Sequence, residues 1–469
     1  MTTDDICWLP ATELAAAIAT KKLSPVEVVN ATLDRAERFQ PTLNLFSEIT
    51  ADTARAAARR AEEAVMSGAS LGPLHGVPVT IKDNVAVEGF RFANGSAAMK
   101  DFIAPSHAEV SARTLKAGAI MIGKTNLPEF AHKVLTDSPA FGVTRSPWDL
   151  DHTPGGSSGG ASAALAAGVA PIAIGTDGGG SIRCPASCAG VSGIKATLGR
   201  IPNETFADAF GNYAFVGPMA RTVDDVALYL SVMAGPVAGD PYSIGAPPLD
   251  SSPLTRDDVK GLRIGWIEHF GRYRTESEVA ALTGAAVAAL ESRGAIVEPL
   301  RDDCFNDLFD TYVVIATTAH TARLSAFADQ LGDGMTPSLR ESIAKGQGYS
   351  TTDLLRAVDR RTQFYRAMQA LFERFDLIVT PTMTAPPKKL DAGGSVATEM
   401  YAEWAAPLYP FNLTGHPAAS FPAGFTRDGL PVGLQVVGPW FAERRILSAG
   451  AALEAATDWA KKRPPAPFN

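Results

Sequence analysis

Two runs of glycine and serine hold the residues most able to do chemistry: Gly155-Gly156-Ser157-Ser158-Gly159-Gly160 and Gly175-Thr176-Asp177-Gly178-Gly179-Gly180-Ser181. Consecutive glycines let main-chain N–H groups converge on one point, and such a nest suits a developing oxyanion or a bound phosphate. Phosphate is the poorer match. A Walker-type loop ends in Gly-Lys-Ser/Thr, which neither run supplies, and neither has the spaced glycines of a dinucleotide fingerprint. What remains is attack by a serine, with backbone donors stabilising the anion that attack creates.

Two serines compete for that role. Gly155 to Gly159 spells Gly-x-Ser-x-Gly, the elbow of α/β-hydrolases, which would make Ser157 the nucleophile with a histidine and an acid downstream. An elbow follows an apolar strand, whereas the residues from Arg145 to Pro154 are polar and broken by proline. The second run has the right prelude, because Val169-Ala170-Pro171-Ile172-Ala173-Ile174 is strand-like and leads straight into it. Ser181 is therefore the better nucleophile. None of the seven histidines sits in a setting that singles it out as the base. Lys82 directly follows the apolar run Val77 to Ile81, so it falls at the carboxyl end of a buried strand, where desolvation lowers an amine's pKa and leaves it neutral. Taken alone, a lysine in that place reads more simply as a solvated side chain just past a strand.

The elements that must position these residues alternate between strand and helix. Ser24-Pro25-Val26-Glu27 sets an N-cap, a proline at the first helical position and a capping-box glutamate for a helix running to about Phe39. A second helix covers roughly Ala51 to Met66. From Leu74 onward the periodicity predicts strands at Val77–Ile81, Ala119–Gly123, Val169–Ile174, Arg263–Ile267, Ile296–Leu300 and Leu377–Thr380. Helices are expected at Ala108–Lys116, Gly159–Ala167, Val223–Met233 and Val279–Ser292. That rhythm is α/β, with a mostly buried sheet flanked by helices. Gly235–Asp257 and Ala385–Ala397 read as loops, and neither makes a convincing domain linker.

Four stretches carry a resemblance to a known family: Gly76-Val77-Pro78-Val79-Thr80-Ile81-Lys82-Asp83, Thr153-Pro154-Gly155-Gly156-Ser157-Ser158-Gly159-Gly160, Gly175 to Arg183, and Gly429-Leu430-Pro431-Val432-Gly433-Leu434-Gln435. In this order they resemble the amidase signature family of serine hydrolases, closely from Leu74 to Arg200 and more loosely over nearly the whole chain. The resemblance implies a single large α/β domain over 1–469 with a mixed central sheet covered by helices. Its parts would be an N-terminal helical segment to about residue 70, a catalytic core over about 71–235, and a C-terminal completion of the sheet over about 258–469. It implies a Ser-Ser-Lys triad: Ser181 the nucleophile, Ser157 a bridging serine on a cis peptide, Lys82 the terminal base. The oxyanion hole falls to the backbone N–H groups of Gly178, Gly179, Gly180 and Ser181. The reaction implied turns a carboxylic amide into an acid plus an amine or ammonia through an acyl-enzyme, with no cofactor and no metal. Asp83, Asp177 and Arg183 are expected to fix geometry, and Ser158 either bonds the nucleophile region or caps the following helix.

The bulk properties agree with a packed enzyme. The chain has 469 residues, 46% of them hydrophobic and 20% charged. A net charge of −8 makes nucleic acid a poor partner. Asp4 and Asp5 stand where a secretory signal carries positive charge, so the cytoplasm is the expected location. The apolar stretch Ala161 to Ile174 is short of the ~20 residues a membrane span needs and is broken by Gly168 and Pro171. Cys7, Cys184, Cys188 and Cys304 read as packing thiols.

Within the family, a free-standing amidase is the expected kind. The alternative is a glutamine-hydrolysing component of an amidotransferase that works on misacylated transfer RNA, which Ala196–Gly217 and Asn412–Ala419 disfavour. An esterase or a non-catalytic binding protein with the same fold stays open, as does a homodimer. Phe130, Phe141, Phe206, Phe210, Tyr213, Trp404 and Trp440 fall in segments able to line a pocket for an aryl or other apolar amide, with Phe141 and Tyr213 put forward as its walls. Nothing in the sequence assigns substrate contacts within 302–350.

Overall fold

The computed structural model describes residues 2–204, 208–256, 258–391 and 401–469. Its strands are β1 (Phe46–Ile49), β2 (Pro78–Lys82), β3 (Ile120–Thr125), β4 (Asp137–Ser138), β5 (Gly142–Val143), β6 (Ile172–Asp177), β7 (Ser192–Lys195), β8 (Phe215–Ala220), β9 (Arg263–Trp266), β10 (Ile296–Pro299), β11 (Leu377–Pro381), β12 (Ala418–Phe425) and β13 (Pro431–Val437). Eleven of them form one sheet in the order β1-β3-β2-β6-β8-β7-β12-β13-β11-β9-β10, and β4 and β5 form a small ribbon apart. The sheet is mixed: β3, β2 and β6 run parallel, as do β11, β9 and β10, while the strands between pair antiparallel. One α/β domain with a mixed central sheet results, as the sequence suggests.

Alternation along the strands explains why helices cover both faces. On β6, Ile172 and Ile174 join the core that also holds Val223, Val226 and Leu230 of the helix Val223–Met233. Ala173 points the other way, among Ala161, Leu165 and Ala186. The helices Gly159–Ala166 and Arg183–Ala189 are wholly buried, and their small residues let them press against the sheet.

The predicted helix from Ser24 has its capping box, Ser24 with Glu27, and runs on to Leu43 through Pro41. Two differences matter. The strand expected at Val169–Ile174 lies at Ile172–Asp177, because Pro171 breaks pairing and the ladder continues into the glycine run. β1, β7, β8, β12 and β13 are not among the expected strands; the edge strand β1 is held extended by its antiparallel partner β3 and by the Gln40 side chain, which bonds both the N–H and the carbonyl of Phe46.

β2 and β6 are parallel neighbours with Ile81 level with Ile174. That register carries Lys82 and the Gly175–Ser181 loop to the same edge of the sheet, outside the carboxyl ends of the strands, where open α/β sheets form their crevices.

Candidate active site

Lys82 is the last residue of β2 and is fully buried. Its Nζ lies 2.6 Å from Ser157 Oγ and 2.7 Å from Thr176 Oγ1. Burial lowers its pKa well below the ordinary lysine value, opposed by the Asp177 carboxylate. The solvated-lysine reading therefore fails, because β2 is covered on both faces. Ser157 follows a cis peptide from Gly156. A side chain on Gly156 would strike the backbone of Leu135 at 2.4 Å, so only glycine allows this approach.

The loop after β6 is set by one buried carboxylate. Asp177 accepts from the Gly180 and Ile182 N–H groups at 2.7 and 3.2 Å, from Arg183 Nε and Nη2 at 3.0 and 2.9 Å, and from Asn412 Nδ2 at 2.9 Å. Burial alone would raise this acid, but the Arg183 charge and hydrogen bonds, helped by Asn412, hold it below the usual carboxylate range. Arg183 in turn donates to Gln435 Oε1, Asn412 Oδ1 and the Leu408 carbonyl. Gly180 has φ of +119°, and a Cβ there would sit 2.3 Å from Leu408. Because the Gly180 N–H is engaged by Asp177, it is not a free donor, which corrects its expected place in an oxyanion hole. Gly178 and Gly179 line the cavity in front of Ser181.

Ser158 does not cap the helix it precedes. Its hydroxyl contacts the Thr176 N–H and carbonyl, and its own N–H donates to the Ser181 carbonyl, which ties the two glycine runs together. Asp83 is buried on the far side, beside Lys124; burial raises its carboxyl, and the Lys124 charge opposes this.

Ser157, Thr176, Gly178, Gly179 and Ser181 open onto a cavity of about 640 Å³. Its remaining wall includes Phe92, Met99, Phe130, His132, Tyr213, Tyr312, His320, Phe327, Ser338 and Ser342. Tyr213 is among the residues lining it, edge-on to Tyr312 at 6.4 Å. Phe141 is not: in the turn between β4 and β5, Ser138 Oγ accepts from its N–H and the ring lies under the Arg91 guanidinium. Of the other aromatic candidates, Phe130 lines the cavity, Trp404 is core, Phe210 is 77% exposed and Trp440 packs on Tyr365; Phe206 is outside the described residues.

The helices Leu308–Leu331 and Pro337–Gln347 form much of the wall, and sequence reasoning missed them. No glycine or charge motif marks them, and only the tertiary fold brings them back over β6. A larger depression, about 960 Å³ at the carboxyl ends of β9 and β10, is lined by exposed groups of mixed charge, among them Glu268, Arg274, Arg301 and Asp303. It holds none of the residues above.

Fold and site together define a hydrolase with a buried lysine and two serines at the strand ends of a mixed sheet. Comparison with known proteins gives the family. The Amidase family model matches residues 27–447, and the chain belongs to that family. It is 36% identical to an acylamidase of Rhodococcus erythropolis, covering 99% of this chain and 98% of that protein. It is 37% identical to a glutamyl-tRNA(Gln) amidotransferase component of a Synechococcus species, over 95% and 96% of the two chains. A bacterial aryl acylamidase of the amidase signature family has the same fold, with a TM-score of 0.90, 31% identity and 97% of each chain covered. The chain is thus an amide hydrolase acting on C–N bonds. Among the described residues no helix is long and apolar enough to cross a membrane.

Proposed function

We propose that Ser181 is the nucleophile, Ser157 the proton bridge and Lys82 the base in the hydrolysis of small amides with an apolar or aromatic portion. The observation that carries this reading is a fully buried lysine 2.6 Å from a serine that shares a cavity with a second serine in a glycine loop. A neutral amine has one lone pair and two N–H donors. Thr176 Oγ1 accepts one N–H, leaving the lone pair for the Ser157 proton. Ser157 then takes the Ser181 proton as Ser181 Oγ bonds to the amide carbon. The N–H groups of Gly178, Gly179 and Ser181 face the oxyanion. When the C–N bond breaks, the same relay returns the proton to the leaving amine, and water cleaves the acyl ester.

The cavity's size and its aromatic wall support a small, ring-bearing amide as substrate. The four cysteines are all unpaired, which suits a reducing compartment such as the cytoplasm. A second reading, an amidotransferase component releasing ammonia from glutamine, is favoured by the likeness to the Synechococcus amidotransferase protein at 37% identity.

The test is release of amine or ammonia from aryl acetamides, alkyl and arylalkyl primary amides, and glutamine, with the matched esters alongside. Wild type is expected to cleave the aryl and arylalkyl amides, and Ser181→Ala to lose at least about a thousandfold in kcat. Turnover of glutamine alone would support the second reading; equal turnover in Ser181→Ala would remove Ser181 from the mechanism.

A further inference from the structure

On the amidase reading above, the scissile bond sits beside Ser181, and the wall formed by Glu129–Lys133 and helix Pro337–Gln347 meets the rest of the substrate. Phe130 and Ala131 have φ of 49° and 55°. The left-handed conformation is unfavourable for a non-glycine residue, so the turn must be held from outside. Glu129 holds it. One carboxylate oxygen accepts from Ser96 Oγ at 2.7 Å and the other from the Thr336 N–H at 2.7 Å. The turn sets the Phe130 ring 5.0 Å from that of Phe327 and brings His132 against Ser338.

Proton accounting then fixes what this wall offers. His132 Nδ1 lies 2.7 Å from the Glu129 carbonyl oxygen, which can only accept, so Nδ1 carries the ring proton. Burial, with the Lys133 charge, pushes the imidazole pKa down to about 3, and the ring is neutral near pH 7. Nε2 is therefore a bare acceptor 2.7 Å from Ser338 Oγ, and the Ser338 hydroxyl must donate to it. With its one proton committed, Ser338 shows the cavity only lone pairs.

We propose that Ser338 is a specificity-determining acceptor, and that the cavity takes aromatic amides bearing a hydrogen-bond donor, such as a phenolic hydroxyl, on a ring packed against Phe130 and Phe327. A donor on the ring gains a hydrogen bond there, whereas an ether oxygen meets a second acceptor.

Binding to the full-length Ser181→Ala protein tests this without turnover. By calorimetry, 4-hydroxyacetanilide should bind about fivefold tighter than acetanilide, and 4-methoxyacetanilide no tighter than acetanilide. Adding Ser338→Ala should bring the hydroxyl preference to about one. Adding His132→Phe instead frees the Ser338 proton and should improve 4-methoxyacetanilide binding relative to acetanilide, which a purely structural role for His132 would not do. A preference that survives Ser338→Ala, equal loss of both anilides in that variant, no binding of any anilide, or tightest binding by 4-acetamidobenzoate would overturn the proposal; the last would hand recognition to Arg323, which also lines the cavity. Intact preference with no amide turnover by wild type would count against the amidase reading alone.

Discussion

The two sides of the cavity are built differently. On the inner side almost every residue from Thr153 to Ile201 is buried, and single groups serve many partners: Asp177 alone takes hydrogen bonds from Gly180, Ile182, Arg183 and Asn412. On the outer side, helix Leu308–Leu331 is largely half-buried, and helix Pro337–Gln347 is half-buried or exposed except at Leu339, Ile343 and Gly346. Polar ties there include Glu129 to Thr336, His132 to Ser338 and His320 to Ser342, each a lone hydrogen bond. The reacting atoms are over-determined, while the surface that meets the rest of the substrate can be changed one bond at a time.

The contrast can be broken most sharply on the inner side. Lys82→Met should cost about 10²–10⁴ in kcat while leaving the affinity for substrate nearly unchanged. In wild type, kcat/KM should rise with pH as Lys82 loses its proton and level off below the ordinary lysine range, since burial lowers this pKa. A profile still rising steeply at the ordinary lysine value would remove Lys82 as the base.

Asp177→Asn tests whether the loop hangs on one carboxylate. It leaves the Arg183 guanidinium buried without its counter-charge, and about 3–5 kcal/mol of stability should go, read as a lower urea midpoint at unchanged slope. A loss under about 1 kcal/mol would mean that Gln435 and Asn412 suffice to hold the loop.

Both sides contribute to acid sensitivity. Burial lowers His132 to about 3, His320 to about 4 and His416 to about 3. Above the unfolded value of 6.5 all three are neutral in either state, and their neutrality costs nothing. As pH falls below that, the unfolded chain takes up protons the fold refuses, and each should lose about 2 kcal/mol of stability by about pH 5. Denaturant melts at pH 7.5 and 5 measure the sum, and His320→Gln should flatten the dependence by roughly a third.

The smallest effect is expected on the outer side. Phe130→Ala should raise KM for aryl amides about tenfold with little change in kcat, and leave small alkyl amides nearly untouched. A fall in kcat shared by all substrates would show that the wall also positions the reacting groups, and the distinction between the two sides would collapse.

Much of the inner side is legible because its chemistry demands rare residue types close together. Gly156 and Gly180 occupy places where a Cβ would meet other atoms at 2.4 and 2.3 Å, and such positions write themselves as glycine runs. Lys82 is readable as buried because the strand before it is continuously apolar. Thr176 stands inside one of those runs, yet its contact with Lys82 follows from strand register, which pairs residues far apart in the chain. Phe141 and Tyr213 are equivalent as aromatic candidates in the sequence; the β4–β5 turn sends one beneath Arg91, and the other reaches the cavity.

The α/β class, the two glycine loops, and the candidate lysine and serines are readable along the chain, because local periodicity and close backbone approach leave marks on neighbouring residues. That Gly180 is held by Asp177, and that His132 and Ser338, far apart in the chain, meet across the cavity, are settled by tertiary packing alone. Those outcomes depend on hydrogen bonds between segments whose sequences carry no trace of one another, since a single buried donor or acceptor can be satisfied by many residue types.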